Sequence, residues 1–300
     1  MTMYNYSIII PHKNLPKLLQ RCLNSIPDRD DVETIVVDDN SDPSVVDFAK
    51  FPGLQKKNVQ VVFDKKGLGA GHARNVGLLK ASGKWLVFAD CDDFFEKDVF
   101  DNQMNALVDS PAELIFFNFL YRDSENLNRP AKKHNLNNLI EKYENTGNVD
   151  CIRFAWNAPW GKFIRRSLVV EKKISFQETQ WSNDVQFSMD VAINAKKVVC
   201  KNENLYCYTY RQGSLVSVLS FESCLCRLKV SLENEKKLIA NGHGQYRQKH
   251  IEYWHYKLFF LSPKKFFEFV KPVVDVIGLF AFVRGLLSNT KNLIFRKRCR

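Results

Sequence analysis

The amino-acid sequence predicts an α/β protein, in which a mainly parallel β-sheet is covered by helices and is followed by a helical extension. In the first half, short apolar runs alternate with helical patterns, which is typical of a sheet with helical crossovers. After Ser220 the composition changes to long helical patterns. The 300 residues, 45% of them hydrophobic, suffice for one large domain and a smaller unit. We therefore predict a sheet domain over residues 1–220 and a basic helical extension over residues 221–300.

The predicted strands are short apolar runs without the spacing of an amphipathic helix. Continuous apolar runs of this length are typical of strands that are buried on both faces of a parallel sheet. In order along the chain they are Ser7–Ile10, Glu33–Val37, Val59–Phe63, Trp85–Ala89 and Glu113–Phe117.

Helical patterns occupy the connections between these strands. From Leu15 to Ile26 apolar residues recur at three- and four-residue steps, with Asn14 placed to cap the helix and Pro16 in its first turn. Such a helix packs its apolar stripe on a sheet. Further helical crossovers are predicted around Pro43–Phe51, Ala70–Ala81 and Lys97–Val108.

The charge balance is basic, with 44 Lys and Arg against 33 Asp and Glu, a net charge of +11. Phosphates, anionic lipid and nucleic acid are all compatible with this charge, which does not choose among them. The eight cysteines contain no C-x-x-C pair, and the N-terminus lacks the pattern of a signal peptide. We therefore predict reduced thiols and a cytoplasmic location.

The C-terminal end mixes large apolar residues with basic ones, and four of the last five residues are basic. Its apolar run Val273–Val283 contains Asp275 and is shorter than the ~20 residues of a membrane-spanning helix. Two interpretations remain open. The end is either a basic amphipathic helix at the inner face of the membrane, which would make the protein peripheral, or a helix that docks on the sheet domain.

Two of the predicted strands end in clustered acids, Asp38 and Asp39 after the second and Asp90, Asp92 and Asp93 after the fourth. In parallel sheets, ligands bind at the carboxyl ends of the strands. Adjacent carboxylates repel one another, and hard divalent cations take oxygen ligands, so the D-x-D-D cluster is suited to Mg²⁺ or Mn²⁺.

A structural role for the same acids remains open. Asp92 or Asp93 could cap a helix that begins near Phe94, and Asp38–Asp42 could form a turn.

A glycine-rich segment, GLGAGHARNVG at Gly67–Gly77, lies between the two acidic clusters. It matches neither the Rossmann dinucleotide fingerprint nor the Walker loop. It predicts a turn into a helix that carries Arg74, where backbone N–H groups and a guanidinium can meet an anion.

Five segments follow one another along the chain in a recognisable order. They are SIIIPHKN, IVVDDNSD, GLGAGHARNVGL, ASGKWLVFADCDD and WGKFIRRSL. Together, in this order, they resemble glycosyltransferase family 2. The likeness covers about Ser7–Ser217 and implies a GT-A fold, a nucleotide-sugar donor that is often UDP-linked, a divalent metal (Mn²⁺ or Mg²⁺) and inversion at the anomeric carbon.

The resemblance implies a role for the residues at the strand ends. It places Asp92 on the metal and Asp90 by the ribose. For Arg74 two roles remain open: it holds the nucleotide end of the donor, or it forms a purely structural pair with a strand-end aspartate. The residues implied on the donor-nucleotide side are Pro11, His12, Asp38, Asp39, Arg74, Asn75 and Asp90.

The family's catalytic base usually stands in a Glu-Asp pair that opens a helix. Here the matching stretch reads ISFQETQWSNDVQF, so Asn183 replaces the Glu and Asp184 remains as the implied base. A carboxylate in a first helical turn also interacts favourably with the helix dipole, and the alternative that Asp184 has only this structural role stays open.

Aromatic and basic residues on the acceptor side complete the predicted site. Trp160 and Trp181 are candidates for a face on which a sugar ring packs. Arg211, in YTYRQGSL, is a candidate for contact with the diphosphate, although the same stretch could be a closing strand with a tight turn.

We predict an inverting, metal-dependent transferase of the hexosyl or N-acetylhexosaminyl type. It transfers a single sugar to a hydroxyl of a glycan or lipid-linked saccharide in cell-surface polysaccharide assembly, because the Q-x-x-R-W signature of processive synthases is absent. Two alternatives are a sugar-phosphate nucleotidylyltransferase, for which PHKNLP offers only Lys13, and a basic membrane- or nucleic-acid-binding protein without catalysis. No nucleic-acid partner is expected for the enzyme.

Overall fold

The computed structural model describes residues 4–129, 134–211, 219–247 and 250–298, with side chains described as far as Ser288. The chain divides into two compact units, Met1–Gln212 and Gly213–Arg300. The first is α/β and the second is helical. The predicted boundary at residue 220 stays a prediction, because residues 212–218 lie outside the described ranges.

The first unit contains one sheet, which has eight strands within the described ranges, in the order β3-β2-β1-β4-β7-β6-β8-β5. The predicted α/β sheet is confirmed, and each of the five predicted strands is present. The strands are β1 Tyr6–His12, β2 Val32–Asp39, β3 Val59–Asp64, β4 Trp85–Phe88, β5 Phe94–Phe95, β6 Leu114–Asp123, β7 Lys162–Arg165 and β8 Val198–Tyr210.

The sheet has a parallel half and a mixed half. Strand β1 pairs in parallel with β2 and β4, and β2 with β3, so the carboxyl ends of these four strands share one edge. Beyond β4 the directions are mixed: β7 runs antiparallel to both β4 and β6, and β8 is parallel to β6. The short β5 pairs antiparallel with β8.

Helices connect these strands and make up the described part of the second unit. Helix α2 packs closely on β1, because a Cβ added at Gly77 would lie 2.5 Å from Cγ2 of Ile9. The helices are α1 Pro16–Asn24, α2 Ala70–Lys80, α3 Lys97–Leu107, α4 Asn137–Thr146, α5 Asp150–Arg153, α6 Arg166–Glu171, α7 Val185–Asn194, α8 Phe221–Ala240, α9 His250–Leu261, α10 Pro263–Ile277 and α11 Leu279–Arg298.

The prediction that Asn14 caps the first helix is wrong. Leu15 is the N-cap residue of α1, without a capping side-chain hydrogen bond, and Pro16 occupies the first turn as predicted. Asn14 has a φ of 57°, and its side-chain oxygen instead accepts a hydrogen bond from the backbone N–H of Asp42 at 2.7 Å. The side chain therefore joins two loops rather than closing the helix.

The helical crossover predicted at Pro43–Phe51 is also wrong. The structure has a turn there, followed by a 3₁₀-helix at Phe48–Lys50. The carboxylate of Asp42 accepts hydrogen bonds from the N–H and the hydroxyl of Ser44, which favours a turn over a helix. Asp47 then caps the 3₁₀-helix by accepting from the N–H of Ala49.

None of the described helices combines the length and the apolarity that crossing a bilayer requires.

Candidate active site

The carboxyl ends of β1, β2 and β4 bring the predicted site residues to one edge of the sheet. His12 ends β1 and is in register with Asp38 on β2. Asp39 ends β2, and Asp90 lies two residues after Phe88, the last residue of β4. Because the three strands are parallel neighbours, both acidic clusters lie at the edge where ligands bind in sheets of this type.

His12 and Asp38 form a closed hydrogen-bonded pair beneath this edge. The N–H of Leu15 donates to Nε2 of His12, so the proton of the neutral ring is on Nδ1, which donates to Asp38 at 2.8 Å. Asp38 also accepts from the N–H and the hydroxyl of Ser41. Burial opposes ionisation, but these hydrogen bonds outweigh it and hold the pKa of Asp38 below its usual value.

His12 and Asp38 support the loops that follow β1 and β2. Pro11, His12 and Asp38 are all buried, and the carboxylate of Asp38 is occupied by donors of its own chain. His12 accepts from the N–H of Leu15 in the first loop, and Asp38 accepts from Ser41 in the second. The place of all three on the donor-nucleotide side, implied by the family resemblance, stays a prediction.

Asp39 fastens the glycine-rich turn to the end of β2. Its two carboxylate oxygens accept from the N–H of Gly69 at 3.0 and 3.1 Å, and Lys13 lies 3.2 Å from the same group. Gly69 has a φ of 93°, a conformation that favours glycine. The N–H that was expected to meet an external anion is therefore engaged by a carboxylate of the chain.

Arg74 joins the second acidic cluster to the segment that carries the expected base. Its guanidinium donates to Asp90 at 2.6 Å and to the side-chain oxygen of Asn183 at 2.8 Å. The guanidinium also lies over the ring of Phe176, 5.4 Å from its centroid. The pair with a strand-end aspartate, left open by the sequence, is thus present.

The N-terminal half of α2 also holds the segment that leads to Asp184. Asn75 donates to the carbonyl of Phe176 at 2.9 Å and accepts from its N–H at 2.8 Å. His72 lies between Glu178, at 2.8 Å, and Asp64, at 3.0 Å. Asn75, expected on the donor side, is therefore engaged in positioning this segment.

Asp90 and Asp92 are the acids of the second cluster that reach the surface. Their side chains are 31% and 23% exposed, whereas Asp93 is 1% exposed. Burial and the negative charge of Asp90 raise the pKa of Asp92, and the guanidinium of Arg211, 3.7 Å away, opposes this rise. Arg211 thus lies beside the acid expected to bind the metal.

The interpretation of Asp93 as a helix cap is wrong. Phe94 and Phe95 form β5, and α3 begins after Glu96. The buried carboxylate of Asp93 instead accepts from the hydroxyl of Tyr206 at 2.9 Å and from the N–H of Thr209 at 2.7 Å. Burial and the neighbouring aspartates raise its pKa well above the usual value.

Strand β8 fastens the acidic turn, a role that the sequence reasoning missed. The N–H of Asp90 donates to the hydroxyl oxygen of Tyr206, and the hydroxyl of Thr209 donates to the carbonyl of Asp92. Arg21 donates to that same carbonyl. Tyr206 and Thr209 are three residues apart on β8 and lie on opposite faces of a regular strand, so the alternation of YCYTY could not have identified both.

The two exposed acids fit a divalent cation. Within the described residues, no three His, Cys, Asp or Glu side chains are grouped so that they could hold a metal ion by themselves. Mg²⁺ sites with substrate phosphates commonly use one or two carboxylates, and Asp90 and Asp92 supply that number. Their mutual repulsion and the raised pKa of Asp92 are the electrostatic condition that a bound cation relieves.

Asp184 stands at the N-cap of α7, so the prediction that it opens a helix is confirmed. Burial raises the pKa of this carboxyl, while the positive charge of Arg74 lowers it. Its neighbour Asn183 is engaged on both sides, accepting from Arg74 and donating to the carbonyl of Thr179 at 3.3 Å. Arg74 therefore links Asp90 to the segment of the expected base.

Lys162 is a second residue that the sequence reasoning passed over, although it stands inside WGKFIRRSL. It is buried on β7, and its ammonium donates to the carbonyl of Trp156 at 2.7 Å. Burial lowers the pKa of Lys162 to about 7, and the negative charge of Asp184 acts in the opposite direction. The same charge interaction favours the ionised form of Asp184.

The two tryptophans expected on the sugar side differ. Trp160 is 5% exposed and stacks against Tyr206 and Tyr208, with ring centroids 5.2 and 5.1 Å away, so the structure assigns it to the core. Trp181 is partly exposed, in the loop before Asp184, and its carbonyl accepts from the hydroxyl of Thr179. Trp181 stays a candidate for contact with a sugar.

Comparison with known proteins matches residues 7–183 to the family model described as Glycosyl transferase family 2. Glycosyltransferase GlyA of Streptococcus pneumoniae is 26% identical over 257 residues, which are 82% of this chain and 36% of GlyA. The poly(ribitol-phosphate) beta-N-acetylglucosaminyltransferase TarS of Staphylococcus aureus is 24% identical over 224 residues, 72% of this chain and 37% of TarS. The chain thus spans little more than a third of these two relatives.

Solved structures show the same fold. The 1–349 fragment of TarS in complex with UDP-GlcNAc superposes with a TM-score of 0.64 at 20% identity, covering 94% of this chain and 81% of that one. The mannosyltransferase PcManGT of Pyrobaculum calidifontis, in complex with GDP-Man and Mn²⁺, gives 0.56 at 16% identity, covering 98% and 82%. These likenesses show the GT-A fold predicted from the sequence.

Proposed function

Because the chain belongs to glycosyltransferase family 2, we propose that it transfers one sugar from a UDP-linked donor to a hydroxyl acceptor, with inversion at the anomeric carbon. One observation carries this proposal. The guanidinium of Arg74 bonds both Asp90, in the acidic cluster, and Asn183, beside Asp184. A donor diphosphate at the first and an acceptor hydroxyl at the second would be neighbours, as a direct displacement requires.

The donor end of the proposed site is the acidic turn after β4. Asp92 would hold a divalent cation together with the diphosphate, and Asp90, which the family resemblance puts by the ribose, would supply a second carboxylate beside it. Such a cation neutralises charge on a diphosphate leaving group. Arg211 lies close enough to Asp92 to contribute a second positive charge there. A UDP-sugar is supported by the fold shared with TarS, which has been solved with UDP-GlcNAc.

The acceptor end is the start of α7. Asp184 would accept the proton of the acceptor hydroxyl while its oxygen attacks the anomeric carbon, and the bond from that carbon to the diphosphate oxygen would break. Attack from the face opposite the diphosphate inverts the configuration. The positive charges of Arg74 and Lys162 favour the ionised carboxylate that this role needs.

The proposed acceptor is a glycan or a lipid-linked saccharide of cell-surface polysaccharide assembly. The name of TarS, which describes transfer to poly(ribitol-phosphate), supports an acceptor of this kind. We further propose that the enzyme acts on the cytoplasmic side of the membrane, in peripheral contact with it. The two alternatives, a nucleotidylyltransferase and a binding protein without catalysis, have no support in the family match.

The experiment is donor hydrolysis and thermal stabilisation of the full chain with a panel of UDP- and GDP-sugars and Mn²⁺. We expect a UDP-sugar to raise the Tm. In Asp184→Asn we expect the same rise but a rate of donor hydrolysis about 10²–10⁴-fold lower, because the general base is removed.

The control is Asp98→Asn, an exposed acid six residues after Asp92, which should match the wild type in both measurements. Wild-type hydrolysis by Asp184→Asn would exclude Asp184 as the base. No stabilisation by any nucleotide sugar would exclude the proposed donor.

A further inference from the structure

The positive charge of the chain is concentrated in the second unit. Residues 213–300 contain 16 Lys and Arg against 6 Asp and Glu, a net charge of +10. Residues 1–212 contain 28 against 27, a net charge of +1. The proposed reaction is carried by the first unit, so it does not account for a second unit with this charge.

The second unit also exposes a contiguous aromatic surface where α9 meets α10. Phe259, Phe260 and Phe267 are 43%, 57% and 66% exposed. Their rings are linked by contacts. The ring centroid of Phe259 lies 5.3 Å from that of Phe260 and 5.2 Å from that of Phe266, and the centroids of Phe266 and Phe267 are 5.3 Å apart. We call these three exposed rings, together with the exposed Leu261, the aromatic patch.

Lysines border the aromatic patch, and the acids nearby are neutralised. Lys264 is exposed, and the described side chains include no ion pair with it. The two acids of α10, Glu268 and Asp275, are each paired with a lysine of the same helix. Lys264 therefore adds a positive charge beside the patch that these two acids do not balance.

Two further acids of the second unit do not reduce this positive surface. Glu235 and Glu252 are buried, and both pair with Arg247, at 3.3 and 2.6 Å. Of the six acids in residues 213–300, these two therefore face inward.

We propose that the aromatic patch inserts into the headgroup region of an anionic bilayer, with the bordering lysines on the lipid phosphates. Exposed aromatic rings next to lysines match a membrane interface, where an apolar layer lies beneath an anionic surface. Nucleic acid would use the charge but not the apolar rings, and a protein partner would use the rings but would not require a net charge of +10. The proposal concerns a surface that donor and acceptor chemistry do not explain.

The start of α11 adds apolar surface to the same unit. Leu279, Phe280 and Val283 are exposed, and Arg284 follows them. The basic end of the chain, expected from the sequence to join this contact, lies outside the residues whose side chains are described. The test therefore uses the aromatic patch and Lys264.

The experiment is flotation of the full chain with phosphatidylcholine vesicles, with and without phosphatidylglycerol, over a salt series. We expect binding to the vesicles that contain phosphatidylglycerol and progressive release as salt rises. The double variant Phe260→Ser/Phe267→Ser should lower vesicle affinity about tenfold or more, because two buried aromatic contacts are lost. Lys264→Glu should lower it about fivefold or more.

The control is Leu79→Ser, which removes an 89% exposed leucine from the first unit and should leave vesicle affinity unchanged. A second readout is Phe267→Trp, whose added emission should be quenched by brominated lipid on binding. This proposal rests on the peripheral membrane contact of the proposed function and names its surface. Both readouts are independent of catalysis, so a failure of vesicle binding is distinguishable from a failure of the proposed sugar transfer.

Three results would overturn the proposal. The first is wild-type protein that does not float with anionic vesicles. The second is a double variant that floats like the wild type, or an added tryptophan that lipid does not quench. The third is a salt-sensitive complex with nucleic acid, or self-association abolished by Phe260→Ser/Phe267→Ser, in the absence of vesicle binding, which would assign the surface to that other partner.

Discussion

The two acidic clusters lie at the same edge of one sheet, yet their carboxylates are satisfied in opposite ways. Asp38 receives hydrogen bonds from His12 and Ser41, and its pKa is held below the usual value. Burial and the charge of Asp90 oppose the ionisation of Asp92, the guanidinium groups of Arg211, at 3.7 Å, and of Arg21 favour it, and the pKa of Asp92 is raised. The carboxylate of Asp38 is satisfied by hydrogen bonds within its own chain, whereas Asp92 is the acid that we propose to meet an external cation.

Asp39 and Asp93 have the same role in the two clusters. Asp39 accepts from Gly69 and fastens the glycine-rich turn, while Asp93 accepts from Tyr206 and Thr209 and fastens the acidic turn to β8. Each cluster therefore contains an acid that holds its own loop. What distinguishes the second cluster is that Asp90 and Asp92 stay partly exposed beside it.

The largest expected effect is at Asp92. In Asp92→Asn we expect UDP affinity to lose its dependence on Mn²⁺ and turnover to fall about 10²–10³-fold, because charge on the leaving diphosphate is no longer stabilised. Titration calorimetry of UDP with and without Mn²⁺ measures the first effect. If Mn²⁺ tightened UDP binding to Asp92→Asn as it does in the wild type, the assignment of the metal to Asp92 would be wrong.

A smaller and different effect is expected at Asp38. Asp38→Asn should lower the free energy of unfolding by about 1–3 kcal/mol, because an NH2 group replaces one of the two acceptor oxygens and some of the buried donors of His12 and Ser41 lose their acceptor. Urea denaturation measures this loss. The folded variant should keep its Mn²⁺ response, and a variant as stable as the wild type would contradict the structural role given to Asp38.

The smallest expected effect is on the pH dependence of stability, which should differ between Asp38 and Asp92. The pKa of Asp38 is lowered in the folded state, so its contribution is present above the usual pKa of Asp and is lost as the pH falls through the folded value. The pKa of Asp92 is raised, so its ionisation opposes folding at neutral pH. Asp38→Asn should therefore lower the Tm at neutral pH, and Asp92→Asn should raise it.

In acid, below the pKa values of both groups, the carboxyls are protonated and the two differences in Tm should shrink. Thermal melts without nucleotide or metal, over a pH series, measure both. Equal and parallel shifts for the two variants would show that the carboxylates share one environment.

Asn183 shows how a departure from the family pattern acts through its contacts. Where the family pattern has a Glu, Asn183 accepts a hydrogen bond from Arg74 without neutralising it. The positive charge of Arg74 is therefore shared between Asp90 and Asp184, and it lowers the pKa of the expected base. A Glu at this position would compete for the same guanidinium.

Strands β1, β2 and β4 could be predicted from the sequence because they are buried on both faces and therefore appear as continuous apolar runs. The edge strand β3 is partly exposed and was predicted from its apolar run alone. Strands β5 and β7 escaped prediction, and so did β8 apart from its last residues, which the open alternative of a closing strand in YTYRQGSL includes. Strand β5 has two residues, and β8 carries KNEN in its middle, which does not look like a buried strand. Asn14 and Pro43–Phe51 were misassigned because side-chain hydrogen bonds at Asp42 select a turn there.

The sequence by itself determined the family, the sheet edge and the acids that reach it, since order along the chain and the periodicity of apolar residues are local properties. Which acid is satisfied by its own chain and which is left exposed was decided by the tertiary structure. Donors such as Ser41, Tyr206 and Thr209 act through distances and burial, and Lys162 affects Asp184 from another strand. A carboxylate's pKa depends on these surroundings, which the residue type alone does not specify.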